Sequence, residues 1–388
     1  MSIEKRIVRK NRRNSRPLQF APSCRKLAKG QPYSVKTTVW ILCAFLLALV
    51  PEAIAAPARY FQDAAGYSED RRGLSLLVIQ HGRTLFEKYP RGKSSGDDYR
   101  IYSGTKSFWG VAAMAAVQDG LLDLDGRVAE SIPEWRNDPR KARITIRQLL
   151  NFTDGIPAAV ELHGESIPDR DAYAIALPSV ASPGEAFIYG PSHLQIFCEV
   201  LRRRLRPLRE TPYHYLERKV LRPLGLGSVR HLMDQAGNPL MATGFELTAR
   251  QWARFGKLVL HRGFYGSRQL VDPGILDNCF HGSEANPAFG LEFWLNREAG
   301  RAGAREVDVE KMLDFRWQVQ DWADACICRD APSDMIVSLG SAFQRLYIIP
   351  SLDLIVVRQG ENGDFSDAQF LRILLAGLRR HEAAEMAR

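Results

Sequence analysis

Ser103 and Lys106 stand three residues apart in Ser103-Gly104-Thr105-Lys106, where an alternating, strand-like region gives way to an amphipathic helix. Residues three apart on a helix are neighbours, so the amine can reach the hydroxyl. Ser103 itself lies at a helix start, where unpaired backbone N–H groups favour developing negative charge. A hydroxyl beside a base is what an acyl-transfer nucleophile requires. The spacing alone is weak, because Ser2/Lys5 and Ser23/Lys26 repeat it in a basic leader. Context separates the third case: Phe108, Val111, Ala112, Ala115 and Ala116 form an apolar stripe at helical period, and Gly120 supplies a left-handed stop. From the tetrad alone a second reading stays equally open, in which Ser103 caps a core helix and Lys106 is a solvated amine.

The segment before the folded part explains the basic composition. Through Thr38 it carries eleven Lys and Arg against Glu4, a charge of +10 in a chain whose total is +9, so the remainder is at −1. The basic isoelectric point thus belongs to the leader, and no nucleic-acid-binding body is implied. Val39 to Val50 is an uncharged apolar run of secretory length, followed by the small-x-small pattern Ala53-Ile54-Ala55. Residues 1–55 are expected to be a leader with an export signal cut after Ala55, giving a periplasmic or secreted protein. An uncleaved inner-membrane anchor and an upstream start codon are the alternatives, and membrane contact is expected only through this segment. Cys198, Cys279, Cys326 and Cys328 remain in the mature part, too few for a disulfide scaffold, with one or two bridges left open. Without Cys-x-x-Cys or His-x-x-x-His, no metal site and no cofactor are expected.

The chemistry needs a frame. Leu74 to Ile79, a His81-Gly82 turn and Thr84 to Tyr89 predict a β-hairpin. Met335 to Ser338, Phe343 to Ile349 and Leu352 to Arg358 predict three further strands near the other end. Ser366 to Gln369 offers a helix cap for a terminal apolar-faced helix. Between them, Ile146 to Phe152, His193 to Arg206, Pro212 to Leu221 and a helix capped by Thr248 and Gln251 read as helical. The fold class is therefore α+β. An antiparallel sheet of N- and C-terminal strands (about 60–102 and 330–388) is flanked by helices and carries a large, mainly helical insert (about 103–329), all within one domain of residues 56–388. Substrate is expected between sheet and insert.

Several runs, taken in order, resemble the serine β-lactamase-related hydrolases, which include class C β-lactamases, D-alanyl-D-alanine carboxypeptidases and related esterases. They are Ile101 to Phe108, Asp119-Gly120-Leu121-Leu122-Asp123-Leu124-Asp125, Ile144 to Leu150, Asp154-Gly155-Ile156, Ser182-Pro183-Gly184-Glu185 with Tyr189, Pro223-Leu224-Gly225-Leu226, Thr248-Ala249-Arg250 and Leu339-Gly340. The resemblance implies a β-lactamase/transpeptidase-like fold and acyl transfer. Ser103 is the implied nucleophile, Lys106 its base, and Tyr189 the proton shuttle to leaving group and water. It assigns oxyanion donors to the backbone of Ser103 and of Ser341, after Gly340.

Two departures bear on substrate. The family's Tyr-x-Asn is Tyr189-Gly190-Pro191 here, so a substrate-binding amide is missing unless Ser192 substitutes. Its Lys-Thr-Gly or His-x-Gly is Ser338-Leu339-Gly340, which removes a cation that commonly attracts a substrate carboxylate, unless Arg345 or Arg358 compensates. An exported serine hydrolase acting on a small-molecule ester, amide or peptide is the first expectation, with efficient β-lactam hydrolysis disfavoured. A catalytically weakened penicillin-binding-like scaffold that binds cell-wall peptide or a partner is the second. A Ser103-His193 dyad is a third, though no Gly-x-Ser-x-Gly elbow surrounds Ser103. Trp317 and Trp322, among charges between Arg297 and Arg329, read as surface packing or as a lid.

Overall fold

Residues that alternate along a strand face opposite sides of a sheet, and both sides are covered here. The computed structural model describes residues 57–164, 166–313 and 321–388; the expected leader and Trp317 lie outside them. Helix α1 (Gln62–Asp70) leads into β1 (Gly73–Gln80), buried along its length, and β2 (Arg83–Lys88). His81 and Gly82 join the two strands with both φ angles positive, at 48° and 72°, as a two-residue hairpin turn requires. The helical part then runs through α2 (Thr105–Gln118), α3 (Ile146–Leu150), α4 (Arg170–Ala176), α5 (Ser192–Leu205) and α6 (Ala249–Leu260). The chain returns to the sheet through β3 (Trp294–Leu295), β4 (Ile336–Gly340), β5 (Gln344–Ile349) and β6 (Leu354–Gly360), and closes with α7 (Asp367–Met386).

The six strands pair antiparallel in the order β2-β1-β6-β5-β4-β3. N-terminal strands thus sit beside C-terminal ones, as expected for an α+β chain whose insert separates two halves of one sheet. The short strand β3 was not foreseen; two residues carry no periodicity to read.

Register sorts the side chains. A Cβ added to Gly256 of α6 would lie 2.9 Å from Leu346 and 3.2 Å from Ile355, so these face α6. Their neighbours Arg345, Tyr347 and Arg358 face the other way, where Arg345 and Tyr347 meet Asp367 of α7. Helix α2 lies beside α6, with Phe108 stacked on Phe255 at 3.8 Å between ring centroids. Capping is local and legible: Thr248 and Gln251 form the expected reciprocal box, and Ser366 accepts from the Gln369 N–H. Among the described residues no helix is long and apolar enough to cross a membrane. The four cysteines from Cys198 to Cys328 are free and buried, so neither of the bridges left open is formed.

Candidate active site

The nucleophile candidate sits on a tight entry to α2. A single 3-10 turn, Tyr102–Gly104, feeds the helix, and Tyr102 adopts φ +46°, a left-handed conformation that a bulky side chain rarely takes. Two glycines let the surroundings close on this turn. A Cβ on Gly104 would stand 2.6 Å from the Trp252 ring, and one on Gly340 would stand 2.0 Å from the Ile101 carbonyl oxygen. The end of β4 is therefore laid directly on the backbone that leads to Ser103, a residue that keeps only slight exposure at 9%.

Lys106 Nζ lies 2.8 Å from Ser103 Oγ and 3.1 Å from the Ala242 carbonyl oxygen. Burial lowers its pKa from 10.5 to about 7, and the Glu292 carboxyl opposes that shift. A neutral amine satisfies both contacts: one N–H donates to Ala242, and the lone pair accepts the Ser103 O–H. The Ala242 carbonyl is held by its flanks, since Met241 N–H donates to Gln195 Oε1 and Phe245 N–H to Thr105 Oγ1. A backbone acceptor in a loop has no signature in the sequence.

Tyr189 reaches the same point from a loop. Ile188 N–H donates to the Phe152 carbonyl, and a Cβ on Gly190 would meet Ala158 backbone at 2.4 Å, so the Tyr189-Gly190 peptide is pressed against its neighbours. The ring sits 4.8 Å from Lys106 Nζ and edge-on to Phe152 at 5.4 Å. Burial pushes the phenol well above its ordinary range, while the Ser103 hydroxyl and the Trp294 indole N–H act on its oxygen in the opposite sense. The phenol therefore keeps its proton at neutral pH. Trp294, on β3, went unremarked in the sequence because it has no spacing relation to Ser103. His163 was also missed. Its ring nitrogen is 3.3 Å from Thr243 Oγ1, and its pKa falls to about 3, first by burial and then by the charges of Lys106 and Arg170.

The remaining candidates divide. Ser341 opens the turn between β4 and β5, which continues through Ala342 and Phe343 in left-handed conformations, φ 60° and 55°. Two buried arginines hold this turn: Arg345 donates to the Gly340 carbonyl at 2.8 Å and Arg358 to the Phe343 carbonyl at 2.8 Å. β3 pairs only with Ile336 and Val337, so that ladder stops before Ser338. The Ser192 hydroxyl, offered as a substitute for the missing amide, and the Ser338 hydroxyl are both bonded to backbone. Ser192 donates to the Pro157 carbonyl at 2.6 Å and Ser338 to the Gly104 carbonyl at 3.1 Å, both fully buried. Ser192 thus does not stand in for the missing amide, nor do Arg345 and Arg358 supply the missing cation. Arg345 is bonded to Asp367 and Glu310, and Arg358 to backbone carbonyls.

His193 is buried and paired through Nδ1 with Asp154 at 2.6 Å. It stacks on Phe152 at 4.7 Å, the ring that Tyr189 meets edge-on from elsewhere. The geometry therefore gives Ser103 its partner in Lys106 and not in His193. Trp322 is core, packed on Trp294 at 5.3 Å. A cavity of about 660 Å³ bounded by Val259, Leu276, Phe280, Leu295 and Arg297 shares no lining residue with the Ser103 constellation. Glu306, Cys328 and Asp330 bring three ligand atoms within 4.8 Å, but Arg372 donates to both carboxylates, so a guanidinium already answers their charge.

The sheet with its helical insert carries a buried Ser-Lys-Tyr cluster at the insert's edge. The chain belongs to the Beta-lactamase family, whose profile matches residues 58–266, more than half its length. Protein flp of Staphylococcus aureus (strain NCTC 8325 / PS 47) is 24% identical over 192 residues, 45% of this chain and 38% of that protein. The strain N315 counterpart is 25% identical over 191 residues with the same coverage. The chain thus spans well under half the length of these relatives. Among solved structures, a β-lactamase from Mycobacterium bovis superposes with TM-score 0.57 at 17% identity, covering 83% of this chain and 99% of that one. A family VIII carboxylesterase gives 0.60 at 16% identity (83% and 97%). The octameric penicillin-binding protein homologue from Pyrococcus abyssi gives 0.55 at 17% identity (88% and 78%). At such identities the likeness fixes the fold, that of the serine β-lactamase-related hydrolases.

Proposed function

We propose that this protein is an exported serine hydrolase that forms an acyl-enzyme on esters or amides whose recognition does not require a carboxylate. The observation that carries the reading is the 2.8 Å contact between Ser103 Oγ and a fully buried Lys106 amine whose pKa is drawn down to about 7. In the first step Ser103 Oγ attacks the substrate carbonyl as its proton passes to Lys106. The developing oxyanion is met by the backbone N–H groups of Ser103 and Ser341. Tyr189, protonated and within reach of both Ser103 and Lys106, carries the proton to the leaving group. A water molecule then attacks the acyl-enzyme while the same groups run in reverse. The carboxylesterase of the same fold supports ester chemistry.

The substrate limit follows from charge. A carboxylate contacted by a cation at 4 Å gains about 4 kcal/mol at an effective dielectric near 20. Ser338 offers none of this, and both nearby arginines are internally paired. Penicillins and D-Ala-D-Ala peptides, which present a carboxylate, are therefore poor substrates in this reading. Incubation of the purified protein with a p-nitrophenyl ester, a cephalosporin and a D-Ala-D-Ala peptide tests it. Burst release from the ester and an acyl mass on the Ser103 peptide, absent in Ser103→Ala, is the expected result. Tight binding of the cell-wall peptide with no acylation by any of the three would replace it with the non-catalytic scaffold.

A further inference from the structure

Glu292 places a charged residue type where charges are least stable. The residue is 2% exposed, and neither carboxyl oxygen has a hydrogen-bond partner among the described residues. Its backbone is also strained, with φ +67° in the left-handed region. Neither feature helps folding: an apolar side chain would remove the buried carboxyl, and glycine would remove the strain.

The location gives the pair of costs a purpose. The Leu291-Glu292 segment crosses α2 at Gly110, where an added Cβ would lie 2.7 Å from the Leu291 carbonyl oxygen and 3.1 Å from Glu292 Cβ. The Ser107 hydroxyl donates to the Glu292 carbonyl at 2.8 Å, anchoring the segment there. Gly110 is four residues beyond Lys106, one turn along the same helical face. The carboxyl is therefore sealed against the face of α2 that carries the base.

We propose that Glu292 is a positioning residue for Lys106: in its ionised form, acting through space, its carboxylate strengthens the hold of the amine on its proton and so sets the pH at which Ser103 becomes nucleophilic. This rests on the reading of Lys106 as the base of an acyl-transfer site. The other groups around the amine do not do the same. Tyr189 presents a neutral ring, and His163, which is itself held neutral by burial, brings no negative charge. On the Glu292 side, the Cys279 thiol and the Tyr189 phenol are both pushed up, chiefly by burial and further by Glu292, so both stay neutral. Burial raises the Glu292 pKa and lowers that of Lys106, and each group's charge opposes the shift of the other. Two groups related in this way titrate as a coupled pair.

The test uses the full chain with Glu292→Gln and Glu292→Gly, the latter relieving the left-handed strain should the former fold poorly. Two readouts are followed across pH: acylation of Ser103 by p-nitrophenyl acetate, and the ¹³Cε resonance of Lys106, assigned by its loss in Lys106→Met. Expected in both variants is a move of the acid limb and of the Lys106 midpoint to lower pH by about one unit, the coupling of such a pair. At one unit below the wild-type midpoint, acylation relative to its plateau then rises about five-fold. A structural spacer would lower the plateau and leave both midpoints in place, and that result in a folded variant overturns the inference. Should the resonance move while the wild-type protein acylates with no ester, the hydrolase reading fails and the coupling of Glu292 to Lys106 stands.

Discussion

In the proposed mechanism Lys106 ties stability and activity to the same proton, so one titration tests the physical account of the site twice. Its folded pKa of about 7 against 10.5 in the unfolded chain amounts to about 5 kcal/mol in favour of the neutral amine. Because the folded value is the lower one, the unfolded chain binds more protons between pH 7 and 10.5. Stability contributed by this residue therefore rises with pH across that window, and the full cost of burying an ammonium applies below it. Between pH 6.5 and 9 the two pKa values give a gain of about 2.5 kcal/mol from this residue alone. The perturbation is Lys106→Met, which fills the same channel without a charge. Urea unfolding of both proteins at the two pH values should show the wild type gaining on the variant by that amount. In the same window the rate of Ser103 acylation should rise with a midpoint near pH 7 and then level, while Lys106→Met loses about 10²- to 10⁴-fold, the usual worth of a general base. A wild-type limb near pH 10, or a stability difference that does not change with pH, would show that the amine is solvated. The activation argument would then fail.

Three further outcomes follow from the geometry. Tyr189→Phe keeps the ring that packs against Lys106 and Phe152 and removes only the phenol oxygen. Turnover of an ester should fall by about 10²-fold or more with little change in melting temperature, as parallel kinetic and thermal measurements would reveal. Gly340→Ala drives a methyl to within 2.0 Å of the Ile101 carbonyl, which forces β4 away from the Ser103 turn. It should cost about 1–3 kcal/mol and most of the activity, read by denaturant melts and initial rates. Arg345→Met leaves Asp367 and Glu310 without the guanidinium that both now hold. A loss of about 3–5 kcal/mol is expected, and an Arg345→Met/Asp367→Leu double variant should recover much of it in the same melts.

Local rules made much of this protein readable in one dimension. The spacing of Ser103 and Lys106 is a property of helix pitch, and the contact at 2.8 Å follows once α2 forms. The His81-Gly82 hairpin, the Thr248 cap and the apolar run Leu76 to Ile79 of β1 are equally local. So is the absence of a cation at Ser338, which no folding can restore. The order of motifs along the chain was enough to suggest the family and, with it, a sheet assembled from both ends.

What lay beyond reach depended on directions and on groups brought together from far apart. Alternation cannot say which face of β5 or β6 meets α6 and which meets α7, so the burial of Arg345 and Arg358 beneath the Ser341 turn emerged only with strand register. The Ser192 hydroxyl looked available in sequence and, like that of Ser338, is bound to backbone in space. Ala242, Trp294, His163 and Glu292 surround the Ser-Lys-Tyr cluster from loops, a short 3-10 helix and a two-residue strand, none at a spacing that marks them. The residue types along the chain thus pointed to the atoms that the proposed chemistry uses. The lowered proton affinity of Lys106 is instead a property of the dry pocket around it, because desolvation depends on every neighbour that excludes water and on none of them in particular.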